Sequence, residues 1–430
     1  MNRFILFCKT FAILIAAYFA FAILSCLLPD KSIKAHIAES APKMVEEGLY
    51  PQAIIRMEQC QMDNFTDALI MNQMYNIDRK HPIKSAMRMI RSSEKGRDWD
   101  QPGLLLRKVN GETLEEQHYA RYWHGNTFLF RPLFLVMDFL TLRHILFIFS
   151  SLLIILLLCA YYPKAGLMKT IALALGFLLT YGFVMQFSMQ FFPILALTVI
   201  GSLLVVKHTQ SANFGLPFFI IGSLTCYFDL LTTPLLTLGI PLAVLLSLKH
   251  NDEFKLKDNL LEISKLILLW GLGFALTFGT KWALASLILG QNIFADAYEV
   301  SLYRMEAEEF TRWDAVTTNF NMLNLWMIGI AAVVLLLFTI IKGLKINYKK
   351  VVLFLIISLM PYVWYLLLAN HSYVHWWFTY RLQSITVVCL LFMFCDGSSA
   401  MKNGKNPFFN TIISEKVPFL THFSRKKSLF

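Results

Sequence analysis

The chain has 430 residues, 57% of them hydrophobic and 16% charged, against about 25% charged and about 45–50% apolar in an ordinary soluble domain. That composition excludes a soluble enzyme, a disordered chain and a coiled coil, and it leaves an all-α polytopic membrane protein. Lys and Arg outnumber Asp and Glu by 39 to 28, an excess that in a membrane chain reports orientation rather than nucleic-acid binding.

A bilayer-crossing helix needs roughly 20 mostly apolar residues. In chain order such stretches fall near 5–28, 144–162, 169–185, 190–206, 214–228, 234–248, 261–279, 322–341, 351–369 and 382–396, about ten in all. Residues 1–29 are read as a retained first span, because no clean small-x-small cleavage site follows the apolar run. Residues 30–143 form a large external segment with amphipathic helices, carrying 16 basic and 15 acidic residues. Spans two to seven occupy 144–279. A second external segment covers 280–320, in which 281–290 is apolar but too short to cross and reads as a re-entrant piece. The last three spans lie in 321–396, and 397–430 is a basic tail.

Alternate short loops hold ten lysines, among them Lys164, Lys207, Lys257 and Lys349, while the intervening loops 186–189, 229–233 and 370–380 hold no Lys and only Arg-free sequence. The positive-inside rule therefore puts both termini in the cytoplasm and the polar clusters on the external face.

Ionisable groups in or beside a membrane are functional candidates by default. Asp63 and Asp67 are four apart and share a face if helical. As a close pair they suit a general base, and the alternative is that Asp63 caps a helix and Asp67 is solvated. Asn64-Phe65-Thr66 also fits a glycosylation sequon. His124 and Arg131 belong to an aromatic-rich stretch that precedes an apolar amphipathic segment, 128–142. Gln186, with Ser188 and Gln190, lies at the outer end of one span and Asp229 at that of another. Arg304, Glu308 and Arg312 are spaced by four, which two helical salt bridges would explain. The densest cluster runs from Asn370 to Arg381 and includes His371, Tyr373, His375 and Tyr380. Arg381 offers a permanent bidentate fork for phosphate, with His and Tyr donors beside it. The two histidines leave room for a divalent metal, but no HExxH glutamate or third ligand accompanies them. No cofactor is otherwise expected. P-loop, dinucleotide and GxSxG patterns are absent in suitable contexts.

The short N-terminus, the large first external segment with Asp63 and Asp67, Arg304 and Arg312 in the second, and the late His371, His375 and Arg381 group resemble the GT-C superfamily of integral-membrane glycosyltransferases. The topology likeness spans nearly the whole chain, whereas the candidate acids Asp63 and Asp67 are separated by three residues and do not match the family's catalytic DxD or ExD spacing. The resemblance implies a polyprenyl-phosphate sugar donor, a glycan or glycolipid acceptor, a catalytic acid in the first external loop, and work on the outer face of a bacterial plasma membrane. The residues suit that chemistry. Arg381, His371, His375 or Arg304 would stabilise the leaving phosphate, and Asp63 or Asp67 would take the acceptor proton in a single, inverting displacement. Asp229, His124, Arg131, Tyr373, Tyr380 and Gln186 are the candidate sugar contacts. Two other readings use the same groups: a transporter or flippase of lipid-linked glycans, and a surface-polysaccharide polymerase or ligase.

Overall fold

The computed structural model describes residues 3–209, 213–251, 254–341 and 346–395, and the tail at 397–430 lies outside them. Helix α1 (Arg3–Leu27) ends where Leu28 precedes Pro29, because proline disfavours the α conformation in the residue before it. The segment from residue 30 onward then folds as α2 (Asp30–Glu47), α3 (Asn64–Tyr75), α4 (Pro82–Arg88), β1 (Ile90–Ser93), α5 (Gln101–Val109), β2 (Glu115–His118) and α6 (Gly125–Phe130). The two strands pair antiparallel, Ile90 opposite His118. A core of Ile33, Ile37, Met44, Ile70, Met74 and Leu105 holds these helices together. The stretch 128–142 is not one amphipathic helix. Pro132 interrupts it, leaving α6, a 3-10 turn at Leu133–Leu135 and the first turn of α7 (Phe139–Ala165).

The remaining helices are α8 (Leu167–Leu178), α9 (Phe192–Lys207), α10 (Gly215–Phe228), α11 (Leu236–Leu248), α12 (Leu256–Leu289), α13 (Ile293–Met305), α14 (Arg312–Phe320), α15 (Leu325–Ile341), α16 (Tyr348–Ser358), α17 (Met360–Leu367), α18 (Ala369–Val374), α19 (Trp376–Thr379) and α20 (Ser384–Cys395). Among the described residues five helical runs are long and apolar enough to cross a bilayer: α1, α7, α12, α16–α17 and α19–α20. A sixth arises if α14 and α15, bent by 65°, count as one.

The ten apolar segments expected as spans are thus not ten crossing helices: among the described residues five are long and apolar enough, or six with the bent pair. Four of the expected spans, α8 to α11, have 12, 16, 14 and 13 residues and are too short to cross alone. Their ends are irregular backbone, which is tolerated at membrane depth only where protein surrounds it. That condition holds for the 3-10 turn Gly182–Phe187, where Gly182, Val184, Met185 and Gln186 are buried, and for α11, buried from Leu236 to Ser247. The apolar stretch 281–290 is no re-entrant piece. It is the last part of α12, whose 34 residues reach about 51 Å at 1.5 Å per residue.

Close backbone approach joins α10 to α12. A Cβ on Gly222 would lie 2.0 Å from the Trp270 carbonyl oxygen, and one on Gly273 would lie 2.1 Å from that of Phe219. Small residues at this crossing are what membrane helix pairs use to pack. Helix α20 runs through the centre, with all but Leu390 and Phe394 of its residues buried.

Hydrogen bonds gather the connecting segments at two ends of the bundle. At one end the segment 30–143 and the loops 188–190, 229–233 and 371–381, with Arg304, are bonded to one another. At the other, Lys164 bonds the Val206 carbonyl and Lys350 that of Lys249.

Candidate functional site

Asp63 is the N-cap of α3. Its Oδ1 accepts the Thr66 N–H at 2.9 Å and its Oδ2 the Thr66 hydroxyl at 2.7 Å, so both oxygens are committed. Asp67, one turn on, is 1% exposed rather than solvated. Its Oδ1 accepts the Ser188 hydroxyl at 2.9 Å and the Gln190 N–H at 3.2 Å. Among the described residues no donor is bonded to Oδ2. Burial, with repulsion from Asp63 adding to it, lifts the Asp67 carboxyl to about 8 against the opposing pull of Ser188, Arg143 and Gln190. Burial also raises Asp63, where the Thr66 bonds and the charge of Arg381 oppose it.

Arg143, at the start of α7, locks this helix in place. Its guanidinium donates to both Glu47 oxygens at 2.9 Å and to Asn64 Oδ1 at 2.7 Å. Asn64 Nδ2 in turn donates to Glu47 and to the Gly48 carbonyl. The sequon asparagine is therefore buried and engaged, and in the folded chain it offers no amide to a glycan.

Gln190 links the two acidic positions. While its backbone N–H meets Asp67, its Nε2 donates to Asp229 Oδ1 and to Thr232 Oγ1, each at 3.3 Å. Its Oε1 accepts from Asn126 at 2.6 Å. Thr127 on α6 donates to Gln73 on α3 at 2.9 Å, closing the ring of contacts. Asp229 lies just past α10. Burial lifts its carboxyl to about 6, held back chiefly by bonds from Thr232, and its Oδ2 is buried without a partner.

Residues 371–381 form the facing wall. Arg381 is 0% exposed. Its Nη2 donates to the Gln61 carbonyl at 2.7 Å, two residues before Asp63. The guanidinium carbon sits 5.4 Å from the Phe191 ring centre and 5.2 Å from that of Tyr380. Among the described residues no carboxylate lies within 4.0 Å of it, and its Nε has no partner. His371 Nε2 bonds the Leu231 carbonyl at 2.8 Å, which ties this wall to the Asp229 loop. The carbonyl can only accept, so Nε2 carries the proton and neutral His371 presents Nδ1 as an acceptor. The His375 ring centre is 5.0 Å from that of His371 and 5.2 Å from Phe378, on which it stacks. Burial, reinforced by the charge of Arg304, holds His375 down at about 4 and His371 well below its ordinary value, so both are neutral at pH 7. His375 Nδ1, Ser372 Oγ, Thr233 Oγ1 and Trp377 Nε1 are buried without partners. Buried polar groups are nearly always paired, and several of the unpaired ones fall in the two segments joined by the His371–Leu231 bond, with others elsewhere in the fold, among them Gln73, His124 and Arg131.

Several predicted residues stand elsewhere. Arg131 pairs with Asp30 and the Ser25 carbonyl at the α1–α2 junction. Gln186 donates to Ser151 of α7 at 2.9 Å. Arg304 and Arg312 do not share a helix with Glu308, since α13 ends at Met305 and α14 begins at Arg312. The expected pair of helical salt bridges is therefore not formed: Arg304 donates to the Tyr122 hydroxyl and Arg312 to the Leu366 carbonyl. Tyr373 stacks on Phe310 at 4.1 Å near the surface. Tyr380 adjoins Arg381, but its hydroxyl is committed to the Gln59 carbonyl at 2.6 Å. His124 bonds the Tyr119 carbonyl at 2.7 Å and sits against the rings of Tyr119 and Tyr122, on the Arg304 side. Sequence reasoning passed over Gln73, Asn126 and Arg143. Only Arg143 carried a signal, as a charge one residue ahead of an apolar run.

Among the described residues no three His, Cys, Asp or Glu side chains could hold a metal ion together. Two surface clefts, of about 480 and 240 Å³, open away from these groups and none of the residues above except Asp30 borders them. No protein-family model, curated protein or solved structure matches the chain.

Proposed function

We propose that this protein is an inverting membrane glycosyltransferase that moves a sugar from a polyprenyl-phosphate donor to a lipid-linked or cell-surface glycan on the external face, as the likeness to the GT-C superfamily implies. One observation carries the reading: a fully buried arginine, Arg381, without a carboxylate in salt-bridge range, bonds the chain two residues before Asp63 and acts by its charge on that buried acid, one helical turn from Asp67. A buried cation of this kind suits an anionic ligand that is present only during turnover.

Asp67 serves as the base in this reading, since Asp63 is occupied as a helix cap. The acceptor hydroxyl gives its proton to Asp67 Oδ2, and its oxygen attacks the anomeric carbon. The carbon–oxygen bond to phosphate breaks, and polyprenyl phosphate leaves with the electron pair. Arg381 stabilises the charge that develops on that phosphate, with Arg304 at the rim. Neutral His371 is suited to accept a sugar hydroxyl at Nδ1 and not to donate to phosphate. Asp229, held by Gln190, is a second acceptor for sugar hydroxyls.

The test is transfer of radiolabelled sugar from a panel of polyprenyl-phosphate sugars to membrane acceptors by the purified protein in liposomes. Label should move to an acceptor, and Asp67→Asn and Arg381→Ala should abolish the transfer while donor binding survives in the first. Donor that crosses the bilayer without covalent transfer would replace this reading with that of a lipid-linked glycan transporter. Transfer of whole glycan blocks would indicate a polymerase or ligase.

A further inference from the structure

The cleft of about 480 Å³ lies at the junction of α1 and α2, apart from the proposed sugar site. Its walls carry Lys34, Arg79, Lys80 and Lys108, with Tyr75 between them. Two acids also border it, but both are engaged. Asp30 pairs with Arg131, and Asp78 accepts from the His81 ring at 2.7 Å and from the Lys80 N–H at 2.9 Å. The four cations have no carboxylate within 4.0 Å among the described residues. Lys34 rests 5.1 Å over the Tyr75 ring, and Arg79 Nε donates to the Leu27 carbonyl at 3.3 Å.

That last bond fixes the depth of the cleft. Leu27 is the final residue of α1, a 25-residue apolar helix long enough to cross a bilayer. The cleft therefore sits at the level where an apolar helix leaves hydrocarbon. Directly below it, Leu24 and Leu27 are 63% and 46% exposed, an apolar surface for acyl chains. Uncommitted cations above and exposed leucines below match the two halves of one molecule.

We infer that this cleft binds the headgroup phosphate of an anionic phospholipid, with the acyl chains lying along α1. The site rests on α1 as a bilayer-crossing helix and not on the glycosyltransferase reading. Each cation near an anionic lipid phosphate strengthens binding about fivefold, so removing three leaves little selectivity.

The experiment is native mass spectrometry of the full chain released from detergent with equal amounts of phosphatidylglycerol and phosphatidylcholine. The wild type should retain phosphatidylglycerol over phosphatidylcholine. Lys34→Gln/Lys80→Gln/Lys108→Gln should lose that preference at least about fivefold. The matching triple replacement by arginine should keep it, which separates loss of charge from misfolding. Lys255→Gln/Lys257→Gln, at the start of α12, should leave it unchanged. Equal retention of the two lipids by the wild type, unchanged selectivity in the glutamine variant, or displacement of the lipid by excess inorganic phosphate would each overturn the assignment.

Discussion

Asp67 joins the proposed reaction to the stability of the fold. Its carboxyl, lifted to about 8, binds a proton in the folded chain that it gives up near 4 when unfolded. The folded state thus holds more protons between those values, and stability falls as pH rises through that window. Asp67→Asn removes the penalty. Its thermal midpoint in detergent should exceed that of the wild type by a margin that widens from pH 5 to pH 8, while transfer is lost. A margin that stays flat with pH would deny the raised carboxyl. As a base, Asp67 must be ionised, so wild-type transfer should climb with pH and level off above about 8. A helix cap behaves differently. Asp63→Ser keeps a capping oxygen and should retain transfer, whereas Asp63→Ala should cost about 1 kcal/mol of stability, read as a lower thermal midpoint. Full loss of transfer in Asp63→Ser with Asp67→Asn active would exchange the two roles.

Among the helices, the tightest constraint is the crossing of α10 and α12. Gly222→Val places carbon where the Trp270 carbonyl oxygen already stands, and overpacking of a close-packed contact typically costs about 1–3 kcal/mol. The variant should elute as aggregate or melt well below the wild type on fluorescence-detected size exclusion. Gly271→Ala, next to Trp270 on α12 but facing open space, is the matched control and should behave as wild type. Equal behaviour of the two would mean that the helices do not approach this closely. The same helix explains why 281–290 misleads as sequence. Gly279 permits a helix to continue, and no proline follows to stop it, so the apolar run simply prolongs α12 beyond bilayer length.

Across the molecule, the alternation of lysine-bearing and lysine-free loops predicts which end of the bundle faces outward. Lys84 lies exposed at the end that carries the candidate site and Lys257 exposed in the first turn of α12. With Cys8 and Cys159 replaced by serine, Lys84→Cys should react with a membrane-impermeant maleimide in intact cells, and Lys257→Cys should react only after lysis. The reverse pattern would turn the protein over and move the proposed chemistry to the cytoplasm.

Hydropathy by itself located every apolar segment, because burial in lipid or core demands apolar residues wherever a helix sits. Charge counting likewise divides the short loops into two sets, since that signal is local and additive, and the cysteine labelling tests which face each set occupies. Helix length could not be read in the same way. Whether a short apolar run must reach both membrane faces depends on what surrounds it, and most residues of α9 to α11 are buried by neighbouring helices. The acids, Asp229 and the His371–Arg381 group stood out as polar residues in apolar surroundings. Their assembly did not, because it runs through Gln190, Asn126 and Gln73, ordinary polar side chains whose partners lie 39 to 64 residues away. The roles of Asp63 and Asp67 parted only in three dimensions. A cap spends both oxygens on its own helix, and a base needs one oxygen left bare.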